Sequence, residues 1–261
     1  MRGVAFALRV VWVNLWLQYK LLYIEGVIMT IVLPPVAHTV FMVLLIRHLD
    51  RPELAPYAII GAAFLGAWDA AVNHAGSVVA QDRWRGTLEL IFSSPAGAWL
   101  VMFGRVLFTS VLALVAVAET VILGRLMGLQ FDVHDPVLLT VALVASLGSL
   151  AAAGLVTAST FVLSSNLRLF TNLMVFPLVI LSGAAFPIEV LPQILRPLSE
   201  IISLKWGAEL LRASVGAGEA NITLALTMMG LLTVAYIVLG RAVFQVVDRR
   251  VRADGSLSSD E

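Results

Sequence analysis

Ionisable side chains inside long apolar segments are the residues of this sequence that could do chemistry. They include His38, Asp69, His74 and Glu119. Such groups are costly inside a bilayer, so they usually face a pathway or each other. At 1.5 Å per helical residue, His38 and Asp69 each fall roughly 18 Å into their segments, near mid-depth. The sequence predicts an intramembrane polar pair of His38 and Asp69 beside Asn73, with a proton relay in an ion-coupled carrier as the alternative.

Other chemistries lack the residues that they need. A P-loop requires a glycine-rich turn followed by Lys and Ser or Thr, and neither Lys20 nor Lys205 has that context. The absence of cysteine removes disulfides, thiolate metal sites and cysteine nucleophiles. His38 and His74 differ by roughly 10 Å in depth, which does not suit one haem iron. We therefore expect no catalytic or metal site, and any ATP hydrolysis would belong to another chain.

The composition indicates a membrane protein. Of the 261 residues, 60% are hydrophobic and 13% are charged, and the mean hydropathy is +0.95. Soluble domains carry about 25% charged residues, so the excess apolar surface here must face lipid. The formal net charge of zero argues against nucleic acid as a partner.

Six apolar runs supply the elements that must position these residues, since a span needs about 20 residues. Their apolar character on every face excludes the alternating pattern of transmembrane β-strands. The expected fold class is an all-α polytopic membrane protein with six transmembrane helices, forming one transmembrane domain over residues 1–261. The predicted spans are 26–46, 57–79, 99–124, 136–162, 169–186 and 222–246.

The basic residues predict the orientation of these spans. Eleven of the 17 Lys and Arg fall on the side that carries both termini, so the positive-inside rule makes both termini cytoplasmic, including a tail over 247–261. In residues 1–25, Arg9, Asn14, Gln18 and Lys20 interrupt the apolar residues. This pattern favours a helix lying in the membrane interface, with a seventh span as the alternative.

The segment from Gln81 to Gly97, QDRWRGTLELIFSSPAG, connects the second and third spans. Leu88, Ile91 and Phe92 share one helical face, and Arg85 and Glu89 form an i, i+4 pair. We predict an amphipathic helix over 81–94. The pattern alone leaves open whether this helix lies on the membrane surface or docks a partner.

The segment after the fifth span is too apolar for a solvated loop. Pro187, Pro192 and Pro197 divide it into short pieces whose apolar residues recur at helical intervals. We predict short re-entrant helices over 187–206 that pack on protein, where a broken backbone can be satisfied. A small extracytoplasmic cap is the alternative.

Two motifs between these spans resemble the membrane subunit of type-2 ABC exporters, a family that includes daunorubicin-type drug-resistance permeases and permeases for polysaccharides and nodulation factors. RGTLELIFSSP, from Arg85 to Pro95, is similar to the acidic and Ser/Thr-Pro segment that follows the second span in this family. LSGAAFPIEVLP, from Leu181 to Pro192, resembles the signature at the end of the fifth span, a small-residue pair, Phe-Pro and a later Leu-Pro. The resemblance covers nearly the whole chain.

The resemblance implies that the 81–94 segment is a coupling helix that docks on a separate cytosolic ATPase subunit. That partner would hold ATP and Mg, while this chain holds no cofactor. The N-terminal helix would also contact the ATPase. Two permease chains, as a homodimer or heterodimer, and two ATPase chains would form the exporter in the cell membrane of a prokaryote. The candidate ATPase contacts are Arg85, Leu88, Glu89, Ile91 and Phe92.

The resemblance also implies an outer gate near the re-entrant helices. Phe170 and Phe176 of the fifth span are candidates for the substrate pathway, unless they face lipid. Few polar groups accompany them, which favours an amphipathic or lipophilic substrate such as a drug, lipid or glycolipid over a polysaccharide. A gated pore or an assembly factor is a further class of function. The candidate gate residues are Ser182, Gly183, Phe186, Pro187, Leu191 and Pro192.

Overall fold

The computed structural model describes residues 2–20, 28–49, 54–129, 132–163 and 177–254. Within these ranges every regular element is a helix, which confirms the prediction of an all-α polytopic membrane protein. The α-helices are α1 Arg2–Lys20, α2 Leu33–Leu49, α3 Ala55–Trp68, α4 His74–Trp84, α5 Leu88–Phe92, α6 Ala98–Leu126, α7 Pro136–Leu163, α8 Arg196–Glu200, α9 Ser203–Ser214 and α10 Ile222–Asp254.

Among the described residues, four helices are long and apolar enough to cross a membrane. They are Ala55–Trp84, Ala98–Leu126, Pro136–Val162 and Ile222–Val247, which include the second, third, fourth and sixth predicted spans. The first predicted span overlaps the shorter apolar helix Leu33–His48, which extends two residues beyond it and is preceded by a π-helical turn over Ile28–Val32. Residues 169–176 of the fifth predicted span lie outside the described part, and residues 177–181 of it form a short helical turn.

The α3–α4 helix, α6 and α7 run in alternating directions because short connections join them, and the bundle therefore has two ends. We call the end with the 85–97 loop proximal and the end with residues 127–135 and 182–221 distal. α10 packs along α7, α2 packs along α3, and α6 contacts both α3 and α7. The α3–α4 helix is thus surrounded by other elements and is the most buried of the long helices.

Prolines and glycines determine how closely α2 and α3 approach. Pro34 and Pro35 lie in the first turn of α2, directly after the π-helical turn Ile28–Val32, and neither has a backbone N–H to donate to that turn. A Cβ atom on Gly66 of α3 would lie 2.9 Å from Cγ of Pro35. The two helices can therefore meet closely only because position 66 has no side chain.

The N-terminal helix α1 presents two of its polar side chains to the protein. Asn14 and Gln18 are buried against α6, and a Cβ atom on Gly104 would lie 2.8 Å from the carbonyl oxygen of Val11. Trp12 and Trp16 are exposed on the other side. Indole rings favour the boundary between lipid and water, so this outer face suits the membrane interface.

Candidate functional site

A glycine divides the segment predicted as one helix over 81–94. Gly86 adopts a φ of +69°, its N–H donates to the carbonyl oxygen of Arg83 (3.1 Å), and the N–H of Thr87 donates to that of Asp82 (2.9 Å). This paired arrangement is a Schellman motif, which ends a helix where glycine adopts the left-handed conformation. Residues 81–84 therefore belong to α4, and α5 forms a separate turn of helix over Leu88–Phe92.

The apolar face of α5 packs inside the chain. Leu88, Ile91 and Phe92 are buried in a cluster that also includes Met102 of α6 and Phe161 of α7. Three of the five side chains predicted to contact an ATPase thus have an intramolecular role in the structure. Their periodicity indicated a buried face, and the structure shows that the chain itself covers that face.

The opposite side of this loop is exposed. Trp84 is 92% exposed and Leu90 is 68% exposed, and Arg85 is exposed between them in sequence. We call these three residues the proximal surface. The side chain of Glu89, and with it the predicted pair with Arg85, lies outside the described residues.

A buried ion pair fixes this loop to the bundle. Asp82 of α4 pairs with Arg105 of α6, and these residues are only 3% and 6% exposed. The hydroxyl of Thr87 donates to Oδ1 of Asp82 at 3.0 Å. We call Asp82, Thr87 and Arg105 the proximal anchor. A buried pair of this kind needs further hydrogen bonds to offset its desolvation, and Thr87 supplies one.

Arg83 adds a second connection at the same end. Its Nη2 donates to the carbonyl oxygens of Val162 (2.7 Å) and Phe161 (3.2 Å) near the C-terminus of α7. A cation is favourable there because the last carbonyl groups of a helix lack partners and carry partial negative charge. α4 is therefore joined to both α6 and α7 immediately before the exposed loop.

The sequence analysis did not identify the proximal anchor. Asp82 and Arg105 are 23 residues apart and flank the 85–97 loop. A signal was present, because each is a charged residue near the loop-facing end of a predicted span. Opposite charges at equal depth on consecutive antiparallel spans are candidates for pairing.

The structure brings together the two predicted intramembrane residues. Nε2 of His38 lies 3.8 Å from Oδ2 of Asp69, and Nδ2 of Asn73 donates to Oδ1 of Asp69 at 2.6 Å. Asp69–Asn73 is a π-helical segment between α3 and α4, and it contacts the other π-helical turn, Ile28–Val32. Single π-helical turns inside α-helices are frequent at functional sites.

Polar residues interrupt the buried surface of this helix at regular intervals. Between Ala58 and Val79, every residue is buried except Asp69, Asn73 and Ser77. Residues four apart lie on one helical face, so these three form a single row. We call this row the polar stripe.

A buried turn forms the region predicted as an outer gate. Residues 182–185 are buried, and the hydroxyl of Ser182 donates to the carbonyl oxygen of Val179 at 2.8 Å. Gly183 has a φ of +68°, and a Cβ atom there would lie 2.3 Å from Cγ1 of Ile188. Only glycine fits this position. Of the other predicted gate residues, Phe186, Pro187 and Leu191 are half-buried and Pro192 is exposed.

Arg212 of α9 supports this turn from the distal end. Its Nη1 donates to the carbonyl oxygen of Gly183 at 2.8 Å, and its guanidinium lies 4.8 Å from the ring centre of Tyr57. Burial lowers the pKa of Arg212 from its usual value, while Tyr57, Glu209 and Glu189 oppose that shift. These residues line a cavity of about 230 Å³.

The candidate pathway residues Phe170 and Phe176 lie outside the described residues. A family model described as ABC-2 type transporter matches residues 5–215 of the chain. No curated protein shows a significant match. The matched residues include α1, the proximal surface, the polar stripe and the Gly183 turn.

Proposed function

Because this chain belongs to the ABC-2 type transporter family and is the membrane subunit of an ABC exporter, we propose that its proximal surface docks a separate cytosolic ATPase subunit. The partner holds ATP and Mg, and the permease chain carries the substrate. The proximal end is then the cytoplasmic end, as the distribution of basic residues predicts.

The observation that carries this proposal is the exposure of Trp84 and Leu90 beside a fixed anchor. Large exposed apolar side chains with a polar rim mark protein interfaces, and tryptophan and arginine are enriched among the residues that dominate binding. Trp84 and Arg85 are such residues. Both lie within three residues of Asp82, which the ion pair with Arg105 fixes to α6. Their position relative to the bundle is therefore well defined.

The proximal anchor also gives the docking surface a mechanical role. Movement of the loop acts on α6 through Arg105 and on α7 through Arg83, because both side chains bond across helices. Closure of two ATPase subunits around ATP would draw the loops together and rotate the helices as rigid bodies. The free energy of ATP hydrolysis would thus reach the membrane through α4.

The complete exporter in this proposal contains two ATPase copies and a second permease chain, identical or different, in a prokaryotic cell membrane. Its substrate is amphipathic or lipophilic, such as a drug or a lipid. The Gly183 turn forms the outer gate, held against α3 where a Cβ on Gly61 would lie 2.8 Å from Cα of Ala185. Opening of the gate would separate that contact.

Copurification tests the docking proposal. The chain is coexpressed with a candidate ABC ATPase subunit from the same genome. Leu90→Glu is compared with Ile194→Glu, which changes a residue 84% exposed at the distal end. We expect Leu90→Glu to lower the recovered ATPase by about tenfold or more, as for a central interface residue. Ile194→Glu should recover as much ATPase as the unchanged chain. Equal recovery from both variants would contradict the proposal.

A further inference from the structure

The polar stripe reaches from the proximal end to the middle of the membrane and stops there. Below Ser77 it continues into Ala80, which is exposed, and Gln81, which is half-buried. Above Asp69, every residue from Ala58 to Trp68 is buried. Asp69 lies roughly 22 Å along the helix from Trp84 at 1.5 Å per residue. Partial exposure thus extends along this face from the proximal end as far as Asp69, and the helix is buried beyond it.

The carboxylate at the closed end of the stripe is only partly compensated. Oδ1 of Asp69 accepts one hydrogen bond from Asn73, but the 3.8 Å between Oδ2 and His38 is too long for a hydrogen bond. The side chain of Asp69 is 19% exposed. An anion at this depth that has a single hydrogen-bond donor among the described residues is costly, so it attracts a cation that carries N–H groups.

The amide of Asn73 is oriented by the carboxylate beside it. Its Nδ2 must face the carboxylate, because a carboxylate oxygen cannot donate, and this fixes Oδ1 on the other side. Within the described part of the chain, Oδ1 of Asn73 has no hydrogen-bond partner. That oxygen is enclosed, so the open acceptor here is the carboxylate of Asp69, and an open acceptor favours an ammonium group over a phosphate or carboxylate.

Apolar side chains of α2 adjoin this polar end. His38 belongs to α2, and Leu33, Phe41 and Leu44 of the same helix are each more than half exposed. A ligand whose charged end reached Asp69 would place its remainder against this apolar surface or in lipid. The arrangement suits a molecule with a cationic head and an apolar body.

We propose that the polar stripe is the entry wall for a cationic amphipathic substrate, whose ammonium head passes Ser77 and binds at Asp69. The inference rests on the proposed export function and narrows its substrate class. Neutral and anionic amphiphiles of equal length are poor ligands of this site, because they leave the Asp69 carboxylate uncompensated.

Cysteine accessibility tests the path, since the chain has no cysteine of its own. Ser77→Cys is compared with Val78→Cys, a buried neighbour that is 2% exposed, in inside-out vesicles containing the complete transporter. The thiol reagent is a methanethiosulfonate that carries a trimethylammonium group and does not cross the membrane. We expect Ser77→Cys to react at least about tenfold faster, as its higher exposure predicts, and dodecylamine to slow this reaction. Equal reaction rates of Ser77→Cys and Val78→Cys would overturn the inference. Protection of Ser77→Cys by dodecanol as strong as that by dodecylamine would overturn it as well.

Substrate selectivity tests the role of Asp69. Stimulation of ATP hydrolysis by dodecylamine, dodecanol and dodecanoate is measured on the transporter in nanodiscs, for Asp69→Asn and for Asp132→Asn, an exposed carboxylate at the distal end. The unchanged chain and Asp132→Asn should prefer dodecylamine by about tenfold, as a charge-assisted hydrogen bond would give. Asp69→Asn should lose that preference. A preference retained in Asp69→Asn would contradict the inference.

The two proposals fail in different ways. If no ATPase copurifies with the unchanged chain, the proposed function fails whatever the labelling shows. If an active complex forms and dodecylamine neither protects Ser77→Cys nor stimulates hydrolysis, only the substrate inference fails. The labelling comparison keeps Asp69 intact, so it decides the inference even if Asp69→Asn does not accumulate.

Discussion

Two carboxylates on one continuous helix occupy contrasting environments about 20 Å apart. Asp82 is enclosed, with an arginine and a threonine hydroxyl on its oxygens. Asp69 is partly open, with one amide donor and a histidine at 3.8 Å. The first arrangement satisfies the charge within the chain and therefore fastens elements together. The second leaves the charge available to a molecule from outside the chain.

The backbone around these two carboxylates also differs in regularity. Around Asp82, α4 is regular and ends in a Schellman motif that defines the direction of the next residues. Around Asp69 the helix widens into a π-helical turn. A regular helix transmits movement between its ends, while a π-helical turn provides a place where the helix can adjust.

The largest expected effect comes from breaking the enclosed pair. Arg105→Met leaves a buried carboxylate without its partner, and we expect it to lower the free energy of unfolding by about 3–5 kcal/mol. The measurement is thermal or denaturant unfolding in detergent. The exposed Arg85→Met is the matched control and should differ little from the unchanged chain.

A double variant sharpens this prediction. Asp82→Leu with Arg105→Met removes both charges, so its loss of stability should be smaller than that of Arg105→Met alone. If the double variant were the less stable of the two, the pair would not be the source of the effect.

The next effect concerns the packing behind the π-helical turn. A Cβ on Gly154 of α7 would lie 2.8 Å from Cγ1 of Val106 and 3.1 Å from the carbonyl oxygen of Ala71. We expect Gly154→Ala to cost about 1–3 kcal/mol through overpacking. Gly148→Ala on the same helix meets nothing within 4 Å and should be neutral or stabilising by up to about 1 kcal/mol. Equal unfolding temperatures for the two variants would contradict this packing.

The smallest effect is the loss of one hydrogen bond in the proximal anchor. Thr87→Val keeps the side-chain shape and removes the donor to Asp82, so stability should fall by about 1–2 kcal/mol. Thr140→Val is the control, because the exposed hydroxyl of Thr140 bonds only within its own helix in the described structure. A Thr87→Val chain as stable as this control would show that the anchor does not need Thr87.

Sequence reasoning located the features that local patterns determine. Long apolar runs define the spans because the thickness of a bilayer fixes their length. His38 and Asp69 could be paired in advance because both fall at mid-depth on consecutive spans. The π-helical turn at Asp69 has no comparable local signature, so the exposure of the polar stripe required the structure.

The contacts of α5 show where such reasoning ends. An i, i+3, i+4 pattern indicates that Leu88, Ile91 and Phe92 share a helical face. It does not indicate whether lipid, a partner or the chain itself covers that face. This face is buried against residues of α6 and α7 that are distant in sequence. The pairing of Asp82 with Arg105 depends on the same tertiary packing.

Site-specific photocrosslinking tests the central claim most directly. Benzoylphenylalanine is introduced at Leu90, at the buried Phe92 and at Ile194, and the chain is coexpressed with the candidate ATPase subunit. We expect an ATPase adduct from position 90 and none from position 92 or 194. Adducts from position 92 without any from position 90 would show that the opposite face of α5 docks, and the absence of ATPase adducts at position 90 would contradict the docking surface.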